Sequence, residues 1–324
     1  MIDISDIQLA AERLQGKVVR TPLIESDCLN DALGGRVLFK AECLQRTGSF
    51  KIRGATNKLS SLDAHQRRQG VVAYSSGNHA QGVAAAAKLL GIRAKIVIPR
   101  DAPELKLANT RAYGASVVLY ERETEDREAI TDNIAREEGL TIIRPYDDEL
   151  VIAGQGTVGL EIMQQLQQNA ISVDAILCPC GGGGLIAGTS TAIKSKLPDI
   201  EIFAVEPEGF DDTRRSLLAG ERLSNTPGTS SICDAIVTPK PGELTFEINR
   251  NTLAGGFAVS DTAVVEAMVE AYRRLKLVVE PGGAVALAAL LSGAFPLDGK
   301  TVVVILSGGN MDIQSFAGFQ KLIN

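Results

Sequence analysis

The chain reads as an α/β protein, with open and mostly parallel sheets flanked by helices. Two observations predict this. Short apolar runs alternate with helical patterns along most of the 324 residues, and several runs are apolar at nearly every position, as in strands buried on both faces. Glycine-bearing turns also recur where a strand gives way to a helix. In chain order, Val71-Val72-Ala73-Tyr74 reads as a strand, Ala80 to Leu90 as a helix, Ala94-Lys95-Ile96-Val97-Ile98 as a strand and Glu104 to Tyr113 as a helix. The charged stretch Glu121 to Glu138 follows, and then Thr141-Ile142-Ile143. The same beat returns at Ala175-Ile176-Leu177-Cys178, at Ile200 to Val205 and at Thr301 to Leu306. The compact units of 70–147 lie between longer glycine-bearing units. That order predicts a small domain, 70–147, inserted into a large one made of 1–69 and 148–324. No linker composition marks the joins, and no repeat of fixed period is visible.

Composition narrows the function classes. Apolar residues make up 45%, charged residues 22% and aromatics 4%, with no tryptophan, so the interior must be mainly Ala, Val, Ile and Leu. A net charge of -6 without a Lys/Arg run excludes a binder of nucleic-acid backbone. No apolar run reaches membrane-spanning length. The acidic start Met1-Ile2-Asp3-Ile4-Ser5-Asp6 lacks the basic and apolar regions of a secretory signal. Five cysteines form no disulfide framework, which fits a reducing cytoplasm. Cys178-Pro179-Cys180 has no second pair to complete a metal site and reads as two buried thiols.

Lys51 is the most informative residue. In Thr47-Gly48-Ser49-Phe50-Lys51-Ile52-Arg53-Gly54-Ala55 it follows a small-residue turn and an aromatic, where a helix is predicted to begin. An ammonium there feels the positive end of the helix dipole, so the free amine needed for imine chemistry becomes easier to reach. Taken alone, the segment better suits a lysine that merely opens an amphipathic helix with Arg53 and Lys58.

Three later segments change that balance. Cys180-Gly181-Gly182-Gly183-Gly184-Leu185 follows a strand and opens a helix, as a backbone cradle for phosphate requires. A turn needed only for close packing is the plain alternative. Gly182-x-Gly184-x-x-Ala187, with Glu206 ending the next strand, also satisfies the loose dinucleotide fingerprint and keeps a nicotinamide-dependent oxidoreductase open. Ser75-Ser76-Gly77-Asn78-His79 gathers hydroxyls, an amide and backbone donors at another strand-to-helix junction, suited to a carboxylate or phenolate oxygen or to simple helix capping. Ser307-Gly308-Gly309-Asn310 forms a third junction of this design.

Together these segments resemble the pyridoxal-phosphate (PLP) enzymes of the tryptophan-synthase-β fold, fold type II, in the serine/threonine dehydratase and serine racemase branch. The likeness runs from Arg20-Thr21-Pro22-Leu23 to Ser307-Gly308-Gly309-Asn310. It implies that Lys51 carries the cofactor as an imine and that Phe50 packs beside the ring. Asn78 would bond the ring hydroxyl, Gly181, Gly182, Gly183, Gly184 and Leu185 would bind the phosphate, and Ser307 would meet the pyridine nitrogen. Ser75, Ser76, Gly77, Asn78 and His79 would hold the substrate carboxylate, with the Ser76 hydroxyl on the face opposite Lys51. Arg127 matches a position near the active-site mouth in racemase-like members, whereas its charged neighbours read as a solvated helix.

The likeness extends to metal-bearing members through Glu206-Pro207-Glu208-Gly209-Phe210-Asp211-Asp212. It implies a structural Mg²⁺ or Ca²⁺ held by the carboxylates of Glu206 and Asp212 and the backbone carbonyl of Phe210. The implied reaction is loss of water from a β-hydroxy amino acid, serine, threonine or 3-hydroxyaspartate, giving a 2-oxo acid and ammonia. Serine racemisation stays open through Ser76. Residues after Asn310 run only to Asn324, so no isoleucine-sensing regulatory domain is expected. A cytoplasmic homodimer is the expected state.

Overall fold

Six strands form the larger sheet in the order β1-β2-β10-β7-β8-β9: Leu23–Glu25 (β1), Arg36–Ala41 (β2), Ala175–Pro179 (β7), Glu201–Pro207 (β8), Gly255–Val259 (β9) and Thr301–Leu306 (β10). Only β1 runs antiparallel, to β2; the other pairings are parallel. Val71–Tyr74 (β3), Ala94–Pro99 (β4), Ser116–Tyr120 (β5) and Thr141–Ile142 (β6) form a parallel sheet of order β5-β4-β3-β6. The computed structural model describes all residues except Ser76, Pro103, Gln320, Lys321, Ile323 and Asn324, and excludes the side chains of Leu105 and Lys106.

The α/β class expected from the sequence is therefore present, with both sheets flanked by helices. Strands β7 and β3 are buried along their whole length, and β10 beyond its first residue, which is why their sequences lack alternation. The largest apolar cluster joins β2, β10 and the Pro281–Leu291 helix and is rich in Ala, Val, Ile and Leu. Phe203, Phe257 and Phe295 form an aromatic group within it, with ring centroids 5.2 to 5.7 Å apart.

Strands β1, β2, β5 and β9 were not evident from apolar runs. In β2 the cause is Lys40, a fully buried lysine inside Arg36–Ala41. It belongs to a buried ionic network. Arg53 donates from Nε and Nη2 to the Glu42 carboxylate at 2.8 Å each, and from Nη1 and Nη2 to Glu161 at 2.7 and 2.9 Å. Lys40 Nζ completes it, donating to Glu161 at 2.7 Å and to the Thr21 carbonyl at 2.7 Å. Arg53 is therefore no exposed partner of Lys58 on an amphipathic helix face; it is fully buried, and its charge ties the Lys51–Ser60 helix to Glu42, just after β2, and to Glu161 on the Glu149–Gln168 helix.

That helix is the pivot of the fold, packing against both the Asn78–Leu90 helix and the Glu149–Gln168 helix. The second crossing is glycine-to-glycine: a Cβ on Gly154 would lie 2.7 Å from the Gly54 Cα. Gly154→Val is expected to push these helices apart and lower the melting temperature by about 2–5 °C, as overpacking of a tight contact costs about 1–3 kcal/mol. A thermal melt within about 1 °C of the parent would refute the tight crossing.

Candidate active site

Parallel strands of both sheets end toward one cavity, the position where open α/β sheets place ligands. Its wall includes Phe50, Lys51, Ser75, Gly77, Asn78, His79, Arg127, Gly181, Gly182, Gly183, Gly184, Leu185 and Ser307. These residues span the chain yet meet in one place. Ser76, expected to face them, lies outside the described residues.

Lys51 is the first residue of its helix, with Phe50 as the preceding cap. The turn before it is stitched to the end of β10: the Phe50 N–H donates to the Ser307 carbonyl at 3.1 Å, and Ser49 bridges to Gly308. Lys51 Nζ donates to the Pro145 carbonyl at 2.7 Å and lies 5.2 Å from the Phe50 ring centroid. Burial disfavours the ammonium and lowers its pKa from 10.5 to about 8. The expected neutralising influence is thus present, with burial as its cause.

Asn78 opens the helix after β3, and its side-chain amide is held on both sides. Nδ2 donates to Glu280 Oε1 at 2.5 Å, while Oδ1 accepts from Asn310 Nδ2 at 2.8 Å. One Nδ2 hydrogen remains for another acceptor. His79 donates from Nε2 to the Ile143 carbonyl at 2.8 Å, which fixes its tautomer. Burial, reinforced by the Lys51 charge, lowers its pKa to about 3, so the ring is neutral. The Gly77 N–H donates to Ser75 Oγ at 3.1 Å.

The glycine loop leads into the Gly184–Lys194 helix, whose first N–H groups have no intrahelical acceptor. Gly183 caps it at φ 90°, a conformation that disfavours side chains. On Gly182 a Cβ would lie 2.5 Å from the Tyr146 ring. Arg127 begins the Arg127–Glu138 helix at the mouth, exposed to solvent, with its guanidinium 5.2 Å from the Tyr74 ring centroid. Burial, with a smaller contribution from Glu128, pushes the Tyr74 phenol up to about 12, so it is an uncharged hydroxyl in the cavity wall.

The family model for pyridoxal-phosphate-dependent enzymes matches residues 14–308. The chain belongs to that family. An L-threo-3-hydroxyaspartate ammonia-lyase of Pseudomonas sp. is 45% identical over 317 residues, covering 98% of both chains. Among solved structures, maize serine racemase superposes with a TM-score of 0.92 at 40% identity, over 98% of this chain and 97% of that one. The threonine deaminase of T.th. gives 0.90 at 44% identity, over 96% and 99%. Those likenesses place the chain among the fold type II PLP enzymes, and it is a PLP-dependent ammonia-lyase. The cavity fits the cofactor on its own terms: a buried amine of lowered pKa faces a glycine loop at a helix start that side chains would obstruct.

The nicotinamide alternative falls with this finding. Its ribose-binding acid, Glu206, is absent from the cavity wall and is fully buried, accepting from the N–H groups of Thr213 and Arg214 at 2.9 and 2.8 Å. Asp212, the first residue of the Asp212–Ala219 helix, accepts from Asn225 Nδ2 at 2.6 Å through Oδ1, while its Oδ2 is buried without a partner. Burial raises Asp212 to about 6; burial and then the Asp212 charge raise Glu206 well above 4.5. An orphaned buried carboxylate oxygen beside a second carboxylate suits a hard cation. Among the described residues no group of three His, Cys, Asp or Glu converges, so carbonyl and water oxygens would complete such a site.

Pro145, Tyr146 and Glu280 also line the cavity and were not found from the sequence. Pro145 acts through its carbonyl, which no motif reveals. Glu280 opens the Pro281–Leu291 helix and reaches Asn78 across 202 positions. The five cysteines are unpaired, and Cys178 and Cys180 are buried as expected. No helix among the described residues is long and apolar enough to cross a membrane.

Proposed function

We propose that this chain eliminates water from 3-hydroxyaspartate, releasing ammonia and a 2-oxo acid, with serine and threonine as poorer substrates. The observation that carries the reading is Arg127, a cation at the mouth of a cavity whose other cationic side chain is Lys51, among the described residues. A monocarboxylic substrate leaves Arg127 without a role, whereas a second carboxylate gives it one.

When bound, PLP supplies the electron sink that stabilises negative charge at the substrate α-carbon. Lys51, which holds the cofactor at rest, takes the α-proton at Nζ, and its pKa of about 8 suits a base. The Gly181–Gly184 backbone binds the phosphate, with Leu185 closing the turn, and Phe50 packs beside the ring. Asn78 spends its free amide hydrogen on the ring oxygen, oriented by Glu280 and Asn310. The Ser307 hydroxyl faces the pyridine nitrogen as a neutral partner. The loop of Ser75, Ser76, Gly77, Asn78 and His79 grips the α-carboxylate, and Arg127 the side-chain carboxylate. In domain terms, 1–69 and 148–324 carry the cofactor while 70–147 carries the substrate loop.

Arg127→Gln is expected to lower kcat/KM on 3-hydroxyaspartate by roughly 10- to 100-fold, the worth of a hydrogen bond to a charged group, and to leave L-serine within about threefold. Steady-state ammonia release on both substrates checks it. Equal losses on the two would remove the specificity role. Racemisation of L-serine is the second reading, supported by the likeness to serine racemase, and chiral chromatography of reacted L-serine tests it.

We assign a structural Mg²⁺ or Ca²⁺ to Glu206, Asp212 and the Phe210 carbonyl. The partnerless Asp212 Oδ2 supports it. Dialysis against a chelator is expected to lower the melting temperature by about 3 °C or more, and excess Mg²⁺ or Ca²⁺ to restore it, because a ligand of the native state alone stabilises by mass action. An unchanged melt would remove the cation. The chain is read as a cytoplasmic homodimer. Exposed apolar side chains on Tyr272, Val278 and Ile313, with Tyr272 packed on Phe316 at 5.8 Å, are in keeping with a covered face, and sedimentation tests the dimer.

A further inference from the structure

We infer that Thr245 is a positioning residue for the cofactor phosphate. It acts at no reacting atom and touches the loop from behind. It lies on the Glu243–Thr252 helix, is fully buried and is absent from the cavity wall. Its hydroxyl donates to the Gly182 carbonyl at 2.7 Å, and the Gly242 N–H reaches the same oxygen at 3.4 Å.

A trans peptide is planar, so its C=O and N–H point in opposite directions. Holding the Gly182 carbonyl against Thr245 therefore aims the Gly183 N–H the other way, toward the cavity that Gly183 lines. Without that tether the Gly182–Gly183 peptide has little to stop it turning. Glycines on both sides add no steric barrier, and a flipped peptide would present a carbonyl oxygen to an anion. The hydroxyl thus selects the one peptide orientation that attracts phosphate.

The loop is also braced from its other side. The Tyr146 ring lies against Gly182, and the next residue, Asp147, accepts from the N–H groups of Glu243 and Leu244 at 3.0 and 2.9 Å, capping the Thr245 helix. Asn249, one turn beyond Thr245, stands close to Gly183, where a Cβ would lie 2.8 Å from its Nδ2. The segment that carries Pro145, the Lys51 acceptor, therefore also fixes the helix on which Thr245 rides.

This inference rests on the glycine loop being the phosphate cradle, and two ligands separate the two claims. The dissociation constants of PLP and of pyridoxal, the same aldehyde without phosphate, are measured by absorbance titration of parent enzyme stripped of cofactor and of Thr245→Val and Thr245→Ser. In the parent, PLP binds much more tightly than pyridoxal; equal affinities would overturn the cradle itself. Thr245→Val is expected to weaken PLP roughly fivefold to tenfold, as for one lost hydrogen bond, with pyridoxal unchanged. Thr245→Ser, which keeps the hydroxyl, restores PLP affinity. Should Thr245→Val fail to fold, Thr245→Ala makes the same comparison. Equal weakening of both ligands, or unchanged PLP affinity, would overturn the role of Thr245.

Discussion

Lys51→Ala is expected to reduce ammonia release by at least about 10³-fold, because the proposed mechanism gives one side chain both the cofactor and the α-proton. The purified variant is also expected to lose the yellow colour of covalently held PLP while keeping the far-UV circular dichroism of the parent. Loss of colour and turnover with the fold intact separates chemistry from stability. The parent should show the titration of the same amine. With a pKa of about 8, roughly a tenth of the amine, once released to act as the base, is free at pH 7, so kcat rises with pH and levels off above about 8. A profile flat from about pH 6 to 9, a window bracketing that value, or a coloured and active variant, would contradict the assignment.

Arg53→Ala is expected to have the largest effect on stability, a loss of about 3–5 kcal/mol and about 5–7 °C in Tm. Removing the guanidinium leaves Glu42 without its strongest partner at full burial and Glu161 with Lys40 alone. Arg53→Lys should recover only part of it, since an ammonium cannot supply the paired contacts to two carboxylates. Burial by itself would raise Glu42, but the Arg53 charge and hydrogen bonds outweigh it and hold Glu42 below 4.5. The unfolded chain therefore takes up this proton first as pH falls. The contribution is complete above about pH 4.5 and fades below it, and the gap between parent and variant should narrow in acid. Thermal melts across pH measure it. A constant gap, or a loss under about 1 kcal/mol, would contradict the network.

What the sequence made legible was local. Lys51, the Gly181–Gly184 loop, Asn78 and Ser307 each sit where a strand or turn passes into the next segment, and glycine, serine and lysine at such junctions carry a recognisable chemistry. The parallel strands were legible where burial on both faces removed every polar residue. The parts that escaped are tertiary. Lys51 meets Pro145 across 94 positions, and Arg53 meets Glu161 across 108. Neither pairing has a periodicity or a motif to announce it. Arg53 misled for one reason: a charged side chain reads as solvated until its partners are known. Thr245 likewise reads as any helical threonine until the Gly182 carbonyl is seen above it.

Borohydride reduction of the holoenzyme, followed by digestion and peptide mass analysis, tests the central assignment most directly. A pyridoxyl mass increment on the peptide that contains Lys51, and on no other lysine, is the predicted result. An increment on a different lysine, or none at all, would contradict it.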